Sequence, residues 1–249
     1  MNRQHPGKSP LEQYLSRYAE PETGSLADAR PTGSFKRALV VACYAEAEDF
    51  LQQMNIPDES ETLIIVVVNQ PDDAASAESA QTRRLLNSLR QTAAATAAQN
   101  LLVIDRVAQP IPRRQGVGLA RKIGADIAAS LIAERKVASP WIYFSDADVA
   151  LPRGYFQPKP PGNGTMLYPY RHRAASAEMQ RRADLYELHL RYYCWQLRDA
   201  GSRYAFPTLG SIMAVHAETY AQVRGVPKRN AAEDFYLLNK LAKIAPIVQ

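Results

Sequence analysis

Cysteine is nearly missing from this chain of 249 residues: there are two, Cys43 and Cys194, far apart in the sequence. That excludes a disulfide scaffold and any metal site built on closely spaced cysteines, and it fits buried thiols in a reducing compartment. Long apolar runs are missing as well, and none approaches the roughly 20 residues that span a bilayer. The opening MNRQHPGKSP lacks the apolar core of a secretory signal. The expectation is therefore a cytoplasmic protein, free or peripheral at the inner face of a membrane, with no transmembrane segment in this chain. An acidic balance is also absent: 30 Lys and Arg stand against 25 Asp and Glu, a net charge of +5. This permits an anionic partner such as a nucleotide phosphate. The basic residues are spread along the chain without a nucleic-acid-binding signature, so no nucleic-acid partner is expected.

What is present is ordinary globular material, 46% hydrophobic and 22% charged, long enough for one large α/β domain. Residues 1–36 read as an N-terminal appendage. It holds one amphipathic helix, LEQYLSRYAE, with Leu11, Tyr14, Leu15 and Tyr18 on one side, followed by a Pro/Gly/Ser-rich linker. From 37 onward buried strands alternate with helices: strands at 37–44, 62–69, 100–106 and 141–146, helices at 45–54, 73–99 and 116–135. Apolar runs separated by helices imply a mainly parallel, Rossmann-like sheet whose ligands lie at the carboxyl ends of the strands. The polar residues at those ends are Tyr44 and Glu46, Asn69 and Gln70, Asp105 and Arg106, then Asp146 and Asp148. After residue 150 the pattern changes. GTMLYPYRH and 209–216 read as strands, 174–201 and 231–244 as helices, and APIVQ as a strand just beginning. A half-strand has nothing to pack on, so the natural chain is expected to continue past Gln249.

Asp146 and Asp148 close the apolar run WIYFSD. Side chains two apart in an extended chain point the same way, so the two carboxylates repel unless a cation sits beside them. An oxygen-liganded Mg²⁺ or Mn²⁺ that also bridges a diphosphate would serve. As an isolated pattern, Asp-x-Asp also suits a turn. The segment GVGLARKIG fails as a dinucleotide fingerprint, because its third glycine position is Arg121 and it comes too late in the chain. Either its glycines allow close packing, or Arg121 and Lys122 approach phosphates. Glu233 and Asp234 open a helix, where acids favour the dipole and one could serve as a general base. Tyr192, Tyr193 and Trp195 read as core or interface, and His216 as a turn or cap residue.

In their order and spacing, LVVACYAE, IIVVVNQPDD, GVGLARKIGAD, FSDADV, LGSIMAVHAETYAQVRGV and AAEDFYLLNKL resemble a GT-A glycosyltransferase of the family 2 type, across about residues 37–244. The resemblance implies a GT-A domain over 37–249, with a nucleotide-binding half (37–150) and a half carrying a smaller acceptor-side sheet (151–249). It implies transfer of a sugar from a nucleotide-sugar to a hydroxyl on a glycan, a lipid-linked or a small-molecule acceptor, with Mn²⁺ or Mg²⁺ as cofactor. Tyr44, Glu46, Asn69, Gln70, Arg121 and Asp146 would meet the nucleotide, and Asp146 and Asp148 the metal. Gly210, Ser211 and Glu233 would lie on the acceptor side. Asp234 would be the base of an inverting displacement, with Glu233 orienting the acceptor or bonding backbone amides. Asn69 stands where the family often has Asp. Two other readings compete. One is a nucleotide-sugar-binding protein of the same fold without turnover. The other is a phosphatase of the haloacid dehalogenase type, which Ala150 and the late position of the acidic pair disfavour.

Overall fold

The computed structural model describes residues 8–26, 31, 33–95, 100–158 and 161–249. Seven strands form one sheet: β1 Arg37–Cys43, β2 Thr62–Pro71, β3 Leu101–Ile111, β4 Trp141–Asp146, β5 Thr165–Leu167, β6 Ile212–His216 and β7 Ile247–Val248, in the order β3-β2-β1-β4-β6-β5-β7. The first four run parallel. β6 is antiparallel to both β4 and β5, and β7 pairs parallel with β5. The sheet is thus mostly parallel and mixed at one side, an α/β fold of the Rossmann-like kind. The residues of APIVQ do find a partner, in β5.

The helices are α1 Pro10–Arg17, α2 Glu22–Ser25, α3 Phe50–Met54, α4 Ser76–Ala95, α5 Gly116–Ala133, α6 Ala177–Asp199, α7 Ala217–Gln222 and α8 Glu233–Leu241. The last residues of the helix expected over 73–99, 96–99, lie outside the described residues, as do 27–30 and 32 of the stretch expected to follow the first helix. Strand alternation sorts the core into two layers. Ala38, Val40, Leu63, Ile65 and Val67 face α5, α7 and α8, whereas Leu39, Val41, Ile64, Val66 and Val68 face α3 and α4. The layer under α5 is tight enough that a Cβ on Gly124 would lie 2.5 Å from Val40.

Helix α1, within the segment expected as an appendage, is packed into this core. Leu11 and Tyr14 of α1 are buried against α5 and α7. The Tyr14 and Tyr220 hydroxyls each donate to Asp126 Oδ1 at 2.6 Å, and Lys122 Nζ donates to Asp126 Oδ2 at 2.7 Å. The backbone N–H of Glu20 completes the set on Oδ2. A carboxylate with no solvent exposure thereby has both oxygens satisfied and its charge matched, which a buried ion requires. Burial, then the Asp126 charge, pushes the Tyr14 hydroxyl far above its ordinary range.

Candidate active-site cleft

Strands β2 and β3 lie to one side of β1, and β4 to the other. The chain reverses direction across the sheet between β1 and β4, and in open α/β sheets the crevice beyond the carboxyl ends at such a reversal is where ligands bind. Register puts Asp146 directly across from Ala42 at that point. A cleft of about 780 Å³ opens there, and its walls include Tyr44, Glu46, Asn69, Arg121, Asp146 and Asp148. These six were expected at strand ends or at the start of α5, and one cleft brings them together.

The loop after β1 enters the cleft in a constrained shape. Ala45 has φ of +53°, a left-handed conformation that costs a non-glycine residue about 1 kcal/mol or more. Helix α4 holds it there: Gln81 Nε2 donates to Ala45 O at 2.6 Å, and the Ala45 N–H donates to Thr82 Oγ1 at 3.1 Å. Tyr44 donates its hydroxyl proton to Glu78. Burial, with that hydrogen bond and the charge of Glu78, pushes its pKa up to about 12, so it stays a donor.

Arg121 sits at the back of the cleft, almost fully buried, and forks between two carboxylates, Asp146 and Glu233. The chain's own guanidinium is thus the cation beside Asp146. Among the described residues no such partner reaches Asp148, which is exposed in the turn after β4. Burial raises the pKa of Glu46, and the nearby charges of Asp148 and then Asp146 raise it further. Glu233 is also raised, by burial outweighing the attraction of Arg121. The cleft walls carry five carboxylates, Glu46, Asp73, Glu78, Asp146 and Asp148, against two guanidiniums, Arg113 and Arg121. A chain with net charge +5 therefore presents a locally acidic cleft.

Among the described residues, no group of three or more His, Cys, Asp or Glu side chains forms a ready-made metal cage. The donors fit a different mode, in which Mg²⁺ or Mn²⁺ is held by one or two carboxylates while phosphate oxygens and water complete the shell. Asp148, which has no ion pair among the described residues, and Asp146 are the cleft carboxylates that could hold such an ion.

Other expected residues lie elsewhere. Gln70 follows Asn69 on a strand, so it points to the opposite face; it donates to Val107 O at 3.4 Å and lines a separate hollow. Lys122 faces the Asp126 network, because successive helical residues are about 100° apart. Asp105 and Arg106 are taken up by Arg90 and Glu22, both at 2.7 Å. Gly118 is a packing glycine: its N–H donates to Arg229 O at 3.0 Å, and a Cβ there would lie 2.4 Å from Pro227 O. His216 caps α7, its Nδ1 accepting from the Glu218 N–H at 3.3 Å. Cys43 is buried, whereas Cys194 is only partly covered. Tyr192, Tyr193 and Trp195 are all exposed, not core.

Of the two acids that open α8, the one that bonds backbone amides is not the expected Glu233. Glu233 points to Arg121, and it is Asp234 that bonds backbone amides: Gly210 N–H at 2.8 Å and Phe235 N–H at 2.7 Å. Neither lines the cleft. Gly210 packs against Arg121 and Asp234 so closely that a Cβ there would lie 2.5 Å from Arg121 Nη1 and 2.7 Å from Asp234 Cβ. Ser211 accepts the Asp146 N–H at 3.1 Å through its carbonyl. On the far side a second pocket of about 330 Å³ opens, with Leu209, Phe235, Tyr186 and Tyr193 in its walls. Sequence reasoning missed Asp73, Arg113 and Asn230 as cleft residues. In comparisons with known proteins, no family model and no curated protein matches the chain.

Proposed function

We propose that this chain is a GT-A glycosyltransferase of the family 2 type, moving a sugar from a nucleotide-sugar donor to a hydroxyl acceptor with the help of Mg²⁺ or Mn²⁺. The observation that carries this reading is the acidic cleft at the β1/β4 reversal, with five carboxylates to two guanidiniums. Such a cleft repels a diphosphate unless a cation accompanies it. Asp148 and Asp146 would hold the ion, which when bound neutralises the charge of the departing nucleoside diphosphate. Tyr44, whose hydroxyl oxygen can still accept while its proton goes to Glu78, and Asn69 suit the ribose and base across the ends of β1 and β2.

The acceptor would come from the side of the 330 Å³ pocket, whose walls hold the chain neighbours of Gly210 and Asp234. Asp234 keeps lone pairs beyond the two backbone N–H bonds that fix its orientation. It would take the acceptor's proton as the acceptor oxygen bonds to the anomeric carbon. The carbon–oxygen bond to phosphate breaks, and its electron pair leaves with the diphosphate. Arg121 positions both ends of this arrangement by tying Asp146 of the donor side to Glu233 beside the base.

Turnover of UDP-, GDP- and dTDP-sugars with Mn²⁺, read as free nucleoside diphosphate released with and without alcohol acceptors, tests the proposal. Release from one donor class, lost with EDTA, is the expected result. No release from any donor, with the folded protein and metal present, overturns it.

A further inference from the structure

Helix α6 runs for 23 residues, and Glu187 is its only buried side chain. One side faces the body of the protein through Leu190, Cys194 and Leu197, which border the 330 Å³ pocket. The opposite side carries a second apolar stripe. Leu185, Leu188, Tyr192 and Trp195 are 67%, 63%, 53% and 57% exposed. Their spacing of three, four and three residues is that of a two-helix seam, which keeps one line of a helix facing a partner. The Tyr192 and Trp195 rings already stack, with centroids 5.8 Å apart, so the outer half of the stripe is a flat aromatic surface. Arg181 lies four residues before the stripe and Asp199 four residues after it, in line with it. Arg182 and Arg191 are tied to Glu178 and Glu187, whereas Arg181 and Asp199 carry no ion pair among the described residues.

We propose that this face docks a second copy of the same chain, with the two α6 helices antiparallel about a two-fold axis that crosses the stripe at the level of residue 190. In that orientation the stripe matches itself with its charges included, whereas a parallel pairing would set Arg181 against Arg181 and Asp199 against Asp199. Positions 185 and 195, 188 and 192, and 181 and 199 are each symmetric about 190. Leu185 therefore meets the partner's Trp195, Leu188 meets the partner's Tyr192, and Arg181 meets the partner's Asp199 twice over, as a two-fold contact demands. Asp199 ends α6, where a negative charge opposes the helix dipole, so a guanidinium from the other copy relieves it. The charge-tipped stripe runs about 27 Å along the helix at 1.5 Å per residue. A bilayer surface fits less well, because interfacial helices flank their apolar face with cations, and this stripe ends on a carboxylate. The inference is independent of the nucleotide cleft and stands or falls without it.

Sedimentation velocity on the full chain at micromolar concentration is the test, with circular dichroism to check that each variant is folded. The wild type should sediment as a species of twice 27.7 kDa. Leu188→Glu should weaken association by roughly 100-fold. Arg181→Asp and Asp199→Arg should each weaken it by roughly tenfold, and the two together should restore it. A monomeric wild type overturns the proposal, as does a dimer indifferent to Leu188→Glu. So does a charge-swapped double variant no better than its parents. A monomer that floats with anionic phosphatidylserine vesicles would assign the stripe to a membrane instead, and equally overturns it.

Discussion

Arg121 and Lys122 are neighbours on α5, both buried, and they serve two different polar clusters. Lys122 belongs to a closed one: Asp126, Tyr14 and Tyr220 satisfy one another, and the charges balance away from solvent. Arg121 belongs to an open one. Its two carboxylates leave Asp148 and Glu46 without a matching cation among the described residues at the edge of a cleft. A closed, neutral cluster fixes the fold, here by fastening α1 to α5 and α7. An open cluster with surplus charge of one sign is incomplete by itself, and in the proposed function a ligand completes it. The two differ by one residue of sequence and about 100° of helix.

The comparison breaks most sharply at Asp234. Asp234→Asn should slow sugar transfer by about 10²- to 10⁴-fold while leaving nucleotide affinity nearly intact. Near-normal turnover with a lowered melting temperature would reduce Asp234 to a partner of its helix. On the closed side, Asp126→Ala leaves buried Lys122 with only the longer contact to Glu20, at 3.6 Å, and should cost about 3–5 kcal/mol in urea unfolding. Metal-dependent nucleotide binding should survive in the folded fraction, and a change there without loss of stability would merge the two clusters. Gly210→Ala forces a Cβ against Arg121 and Asp234 and should cost about 1–3 kcal/mol. It should also lower transfer, because the Arg121 fork shifts.

The smallest effect concerns pH. Glu46 has a raised pKa in the folded protein, so folding favours its protonated form. Its contribution to stability is present below the ordinary carboxylate pKa of 4.5 and is lost as pH rises through the raised value. Glu46→Gln should therefore raise the metal-free melting temperature slightly at neutral pH and not at acidic pH. A gain that persists unchanged at low pH would contradict the charge-crowding account of the cleft.

Much of this was legible in the sequence because burial is. TLIIVVVN reads as a strand covered on both faces, and β2 has every residue buried but its last. Strand-end reasoning found Tyr44, Glu46, Asn69, Asp146 and Asp148, since a parallel sheet brings those ends to one edge. It failed where a boundary was misplaced. β3 runs on to Ile111, so Arg113 rather than Arg106 stands at its carboxyl end. It failed at Gln70 through alternation, which side-chain polarity alone does not reveal. The link from Arg121 to Asp146 and Glu233 spans 25 and 112 residues, and no local pattern encodes it. The exposed face of α6 was hidden for the opposite reason, since apolar residues at helical spacing look alike whether they meet a core or solvent.

The central claim is that the cleft takes a nucleoside diphosphate only together with a divalent cation. Titration calorimetry of UDP and GDP into the protein with Mn²⁺, then with EDTA, tests it most directly, using the wild type and Asp148→Asn. The account predicts that at least one of the two binds the wild type at least about tenfold tighter with metal, and that Asp148→Asn abolishes the difference. Equal affinity with and without metal, or a metal effect untouched by Asp148→Asn, would contradict it.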